Sequence, residues 1–153
     1  MSAMQFGIFS VGDITPDPTT GRTPTEHERI MATVAIAEKV EEVGLDVFAT
    51  GEHHNPPFVC SSPTTLLGFL AALTNRLVFS TSTTLITTND PVKIAEEYSE
   101  LKHLSGGGVD VLLGWGNTGR VSTWFGEDIR QAVPLTVEKH DLWRRVRREE
   151  VVD

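Results

Sequence analysis

Four times along the chain a short apolar run gives way to a segment with helical spacing, and this alternation restricts the fold more than any other feature. The first run, residues 5–9 (Q-F-G-I-F), leads through a loop of Asp, Thr, Pro and Gly at residues 13–21. Ile30, Val34, Ala37, Val40 and Val43 then recur in steps of three and four, the mark of one helix face, and Gly44 is a suitable stop. Two caps compete for the start of that helix. Thr23 has Pro24 in the first-turn slot and Glu26 three residues on, whereas Thr25 and Glu28 form a capping box. The second run, residues 47–50 (V-F-A-T), precedes a helix over residues 62–74 that starts at Ser62-Pro63. Its Leu66, Leu67, Phe69, Leu70 and Leu73 lie on more than one side, which predicts cover from another element or another subunit. The third strand, residues 77–85 (L-V-F-S-T-S-T-T-L), is apolar at first and then rich in hydroxyls. Asp90-Pro91 repeats the cap-and-proline device before Ile94, Ala95, Tyr98, Leu101 and Leu104. After Gly106-Gly107-Gly108 the pattern predicts a fourth strand at residues 109–113, a long loop at 114–126 and a helix at 134–148, which ends in a basic cluster suited to its dipole.

Strands alternating with helices through short returns imply a parallel sheet with right-handed crossovers. Four such units are half of an eight-unit barrel, which takes ~250 residues when complete. The pattern therefore fits an α/β chain forming the (βα)4 half of a TIM-type (β/α)8 barrel, or a small open flavodoxin-like sheet of similar length. With 153 residues, 39% hydrophobic and 22% charged, the chain is long and apolar enough for one domain with a real core. Its 13 basic and 21 acidic residues give a net charge of −8, which argues against nucleic acid or an anionic membrane as partner. A lone cysteine, Cys60, excludes an internal disulfide and fits a reducing compartment. Residues 1–9 carry no basic residue, so no signal peptide is expected, and no segment approaches the ~20 apolar residues of a membrane helix. The expected location is cytoplasmic.

The stretch V-F-A-T-G-E-H-H at residues 47–54 delivers a carboxylate and two imidazoles to a strand end, where β/α proteins place their chemistry. Neighbouring strand residues face opposite ways, so either His53 or the Glu52/His54 pair is expected to face a pocket. A loop histidine that only satisfies backbone groups is the competing reading. No metal site is expected, because adjacent histidines diverge and no third ligand stands at a known spacing. Residues 114–119 spell G-x-G-x-x-G after a strand. A dinucleotide fingerprint needs the third glycine to open a helix, and residues 120–126 show no helical stripe. Asn89 stands where a strand end reaches a pocket, or caps the next helix.

The phrases F-A-T-G-E-H-H, L-V-F-S-T-S-T-T-L, N-D-P-V-K-I-A-E-E, L-S-G-G, G-N-T-G and W-F-G-E-D, in this order and spacing, resemble the N-terminal half of the bacterial luciferase-like flavin-dependent monooxygenases. The resemblance runs from about Gln5 to Asp153 and implies a single half-barrel domain over residues 1–153, truncated relative to a family of mostly dimeric barrels. It implies FMN or a reduced deazaflavin at the strand ends, with reduced flavin and O2 oxidising a small organic substrate and a flavin reductase as a further partner. His53 takes the position of the family's active-site histidine, and an imidazole exchanges a proton near neutral pH. Glu52 and His54 flank it and are expected to be cofactor-binding. The hydroxyl run at 80–84 matches the segment under the flavin ring, with Ser82-Thr83 at a peptide commonly cis there, although Thr is also a good strand former. Gly114, Gly116 and Asn117 match a loop that lines the flavin site, and Asn89 completes the cofactor-binding set.

Trp115 and Gly108 stand where Arg is usual, and the Arg matching Trp115 contacts the cofactor phosphate. Losing such a charge-assisted contact costs about 1.5–3 kcal/mol. His140, Trp143 and Arg147 replace an expected tyrosine, leucine and tryptophan. The alternative function is a non-catalytic, self-associating half-barrel that has lost flavin binding. A four-strand sheet leaves open edges at residues 5–9 and 109–113, and an inner face expected to carry Phe6, Ile8, Phe48 and Val78 or Phe79, so a homo-oligomer is expected.

Overall fold

The computed structural model describes residues 4–152; residues 1–3 and 153, part of the expected 1–153 domain and of the N-terminal segment, lie outside the described residues. In chain order the elements are β1 (Gly7–Ser10), α1 (Glu26–Glu42), β2 (Val47–Thr50), α2 (Pro63–Ala71), β3 (Val78–Thr81), β4 (Thr84–Leu85), α3 (Pro91–Leu104), β5 (Val109–Asp110), β6 (Leu113–Gly114), α4 (Gly119–Trp124) and α5 (Ala132–Val146).

Local chemistry sets the helix starts. Thr25, not Thr23, caps α1: its Oγ1 accepts from the Glu28 N–H at 3.2 Å, and Glu28 Oε2 accepts from the Thr25 N–H at 2.8 Å. The Thr25 N–H, with Arg22 behind it, holds the Glu28 carboxyl down to about 2. Asp90 caps α3, accepting from Val92 and Lys93, and Pro63 and Pro91 occupy first-turn positions where a missing N–H costs nothing.

Four strands form one parallel sheet in the order β1-β2-β3-β5. Sequential order with helices on one face is how a barrel is wound; a flavodoxin-like sheet has order 2-1-3-4-5 with helices on both faces. The half-barrel reading therefore holds. The register aligns Ile8 with Phe48 and Phe79 in one row, and Phe9 with Ala49 and Ser80 in the next. Phe48 and Phe79 are sealed beneath the helices with Val34, Ala37 and Val40 of α1, Leu67 and Leu70 of α2, and Ile94, Tyr98 and Leu101 of α3. This corrects the expected inner face: Phe48 and Phe79 belong to the helix-side core, and Ile8 shares their row. By the period of two, Gly7, Phe9, Val47, Ala49, Val78 and Ser80 face the other way.

The third and fourth strands, read as continuous, are each broken. The cis peptide Ser82–Thr83 separates β3 from β4, and β4 pairs with β6 in a second, two-stranded parallel sheet. Thr81 Oγ1 bridges the interruption by donating to the Leu112 carbonyl and accepting from the Leu112 N–H, both at 3.1 Å, so a side chain replaces the ladder there. The expected loop at residues 114–126 contains α4, which buries Val121 and Ser122. Six residues are too few to display a helical period, so this helix is set by tertiary contact. The last helix begins at Ala132 rather than Pro134, after a 3-10 turn at Ile129–Gln131.

The cap assignment gives a direct test. Thr25→Ala should cost about 1 kcal/mol and Thr23→Ala less than about 0.5 kcal/mol. Urea denaturation midpoints check this, and a larger loss at Thr23 contradicts the assignment.

Candidate active site

The loop after β2, the ends of β4 and β6, and α4 line an open cavity of about 390 Å³. Glu52, His53, His54, Ser82, Thr83, Gly114, Gly116 and Asn117 all line it. Sequence logic that admitted either His53 or the Glu52/His54 pair was too strict, because residues 52–54 lie beyond β2, where strand alternation lapses.

Glu52 is 5% exposed and is held by three donors. Its Oε1 accepts from the Asn89 side-chain amide at 2.9 Å and meets His54 Nε2 at 2.8 Å; its Oε2 accepts from the Leu85 N–H at 2.9 Å. A buried carboxylate needs such donors to offset lost hydration. Asn89 is therefore not the cap of α3, which is Asp90, and it stands behind this cavity, lining a smaller one on the other side of Glu52. Its amide also donates to the Leu85 carbonyl at 2.8 Å, behind Glu52.

The two histidines sit in different surroundings. His53 stacks on Phe58 with centroids 4.4 Å apart, and its backbone N–H donates to the Cys60 carbonyl. Burial holds the His53 imidazole below its ordinary range; nearby His54 acts in the same direction and Glu52 against it. His54 meets Phe125 edge-on at 4.7 Å. Phe58 and Phe125 were missed in the sequence, where nothing marks a loop aromatic as a histidine's neighbour.

Backbone closeness shapes the opposite wall. A Cβ on Gly114 would stand 2.5 Å from Thr83 Oγ1, so only glycine lets β6 approach the hydroxyl segment this closely. Leu85, Leu113 and Val121 add apolar wall, and Thr87 bonds the Trp115 carbonyl at 2.7 Å. These residues were legible only as strand or loop.

The cavity lining includes neither lysine nor arginine. Trp115 lies there half exposed, and Gly108 has φ +106°, a conformation in which an arginine would be strained. Lys139 is occupied by the Thr87 and Asn89 carbonyls at 2.6 and 3.0 Å. Among the described residues no group of three or more His, Cys, Asp or Glu could hold a metal ion, and no helix is long and apolar enough to cross a membrane. The third glycine of G-x-G-x-x-G does open a helix, against expectation. The dinucleotide reading still fails, because the sequential sheet lacks the reversal of strand order that forms such a crevice.

Residues 4–153 match the family model described as luciferase-like monooxygenase. The chain belongs to this family. The N-acetyl-S-alkylcysteine monooxygenase of Bacillus subtilis is 32% identical over 95 residues, which are 61% of this chain and 28% of that protein. The monooxygenase RslO1 of Streptomyces bottropensis superposes with a TM-score of 0.84 at 26% identity, covering 97% of this chain and 44% of that one. The oxygenating constituent of 3,6-diketocamphane monooxygenase from Pseudomonas putida, solved with FMN, shares the fold with a TM-score of 0.82 at 19% identity, covering 95% and 39%. The chain thus spans less than half the length of each of these proteins.

The depressed His53 value has a signed consequence. The unfolded chain takes up this proton near the ordinary imidazole value of about 6.5, whereas the folded chain does so only at lower pH. Stability is therefore full above about pH 6.5 and declines as pH falls below it, until the folded value is passed. His53→Gln should flatten that decline in urea midpoints measured across this range. An unchanged slope contradicts the assignment.

Proposed function

We propose that this chain is the ring-binding part of a luciferase-like, flavin-dependent oxidoreductase that oxidises a small organic substrate with reduced flavin and O2. The observation that carries the reading is the meeting, in one cavity, of His53, the Ser82–Thr83 segment and the 114–117 turn. Their fit to a flat, partly polar ring is chemical. Leu85, Leu113 and Val121 supply apolar wall, while Ser82, Thr83 and Asn117 supply hydrogen-bonding groups without charge. FMN or a deazaflavin, when bound, supplies the redox chemistry. Burial lowers the His53 imidazole below its ordinary range and favours its neutral form, so His53 would serve as the group that accepts a proton beside a bound ring. A flavin reductase would supply reduced cofactor. A cytoplasmic setting suits the free thiol of Cys60.

The competing reading, a non-catalytic half-barrel that has lost flavin binding, draws on the lining without lysine or arginine. Titration with FMN, followed by flavin fluorescence, separates the two. We expect affinity weaker than about micromolar, tightened roughly tenfold or more by Trp115→Arg, as a charge-assisted phosphate contact implies. Sub-micromolar binding by the unaltered chain overturns the predicted weakness, and no binding by either protein overturns the flavin function.

The half-barrel is also proposed to be a homo-oligomer. Its edge strands are β1 and β5, and Phe9 and Ile8 of β1 are 50% and 41% exposed. A second copy placing each β1 beside the other's β5 would leave no free edge in an eight-strand barrel. Sedimentation equilibrium at micromolar concentration should show an assembly, and a folded 16.8 kDa monomer would contradict it.

A further inference from the structure

We propose that Glu52 is a positioning residue that fixes the tautomer of His54, so that the cavity presents a second imidazole acting as a hydrogen-bond acceptor through Nδ1. The inference uses the proposed function only in taking the cavity as the ligand site. As a carboxylate, Glu52 can only accept. Its 2.8 Å contact with His54 Nε2 therefore places the ring proton of neutral His54 on Nε2. Nδ1 is left with the lone pair, and among the described residues it has no hydrogen-bond partner. The ring lines the cavity, and the edge-on contact with Phe125 restrains it. A ligand group lying against it must bring an N–H or O–H. This selects for a donor, the chemistry of a hydroxyl, a thiol or a ring N–H.

Replacing Glu52 by its amide sharpens the argument, because one of its three partners cannot adapt. The Leu85 backbone N–H is a fixed donor on Oε2. The carbonyl oxygen of a glutamine must take that position, since an amide N–H there would face a backbone N–H. The NH2 group then points at His54 Nε2, which must become the acceptor, and the ring proton moves to Nδ1. An orienting carboxylate exchanged for its amide presents the wrong tautomer in the same way in serine protease triads. Asn89 gives way instead: opposite a glutamine NH2 its own Nδ2 loses that contact and keeps the Leu85 carbonyl. Its loss removes one donor from Oε1 but leaves the carboxylate facing His54.

The experiment is 15N NMR of the imidazole rings of the whole chain, without ligand, at a pH where both histidines are neutral. Wild type should show His54 with a protonated-type Nε2 and a bare Nδ1. Glu52→Gln should reverse the two, and Asn89→Ala, which disturbs the same hub, should leave them as in wild type, as should His53 in all three proteins. A wild-type His54 protonated on Nδ1 overturns the proposal, as does a folded Glu52→Gln protein with the proton still on Nε2. If Glu52→Gln does not fold, the wild-type and Asn89→Ala spectra decide: reversal in Asn89→Ala would make the tautomer a by-product of local packing. Because no flavin is present, failure here is distinguishable from failure of the flavin reading.

Discussion

The site depends on one buried carboxylate. Glu52 sits where three segments meet: the loop leaving β2, the end of β4 and the connection into α3. A charge removed from water is tolerated only when its oxygens are fully used, and here a backbone N–H, a side-chain amide and an imidazole use them. Each donor belongs to a different piece of chain, so the cost of burial is offset only when all three pieces are in place. That requirement turns a local charge into a statement about tertiary structure. Deleting one partner of such a hub leaves the rest uncompensated, which is why these groups are costly to lose even where their net contribution to stability is small.

Adjacent histidines acquire different chemistry from this arrangement. His53 lies against the face of Phe58, and burial withdraws it from the charged form. His54 is tied to the carboxylate through Nε2, and its ring lines the cavity. Two like groups given separate environments can serve separate roles, one exchanging protons and the other reading the ligand's hydrogen-bonding pattern. The opposite wall is organised by approach rather than charge. Thr81 spans the interruption between β3 and β4 by bonding both polar groups of Leu112, and Gly114 lets the neighbouring strand close onto Thr83.

How much of this could be read from the sequence follows from the range of each interaction. Pro63, Pro91 and Asp90 act within one turn, and they placed α2 and α3 correctly. The Thr23 and Thr25 caps were equally good locally, and the contact between Thr25 and Glu28 decided between them. Which face of the sheet Phe48 occupies is not local, because a strand of four residues alternates identically either way and only the helices packed above it settle the question. The break after Thr81 falls inside an unbroken β-forming run, so periodicity missed it and only the resemblance, through the peptide at Ser82-Thr83, marked the place. Asn89 was weighed as cap or pocket residue; it lines a small cavity beside Glu52, and what neither reading contained is its bond to that carboxylate, 37 residues away.

The distribution of charge around the cavity carries the last step. The protein has 13 lysines and arginines, yet none lines the site, and the nearby Lys139 is spent on two carbonyls. The chemistry these residues offer a ligand is therefore apolar walls, hydroxyls, amides and imidazoles, with the Glu52 carboxylate as the one charge and its oxygens already bonded. An anionic tail needs fixed donors or cations, and at Gly108 the backbone itself resists the side chain that would provide one. The same register leaves Phe9, Ala49 and Ser80 facing away from the helices, so the cavity is a rim with one built side. The loops after β2, β4 and β6 thus offer uncharged groups suited to a ring, and the same lining holds no lysine or arginine for an anionic tail.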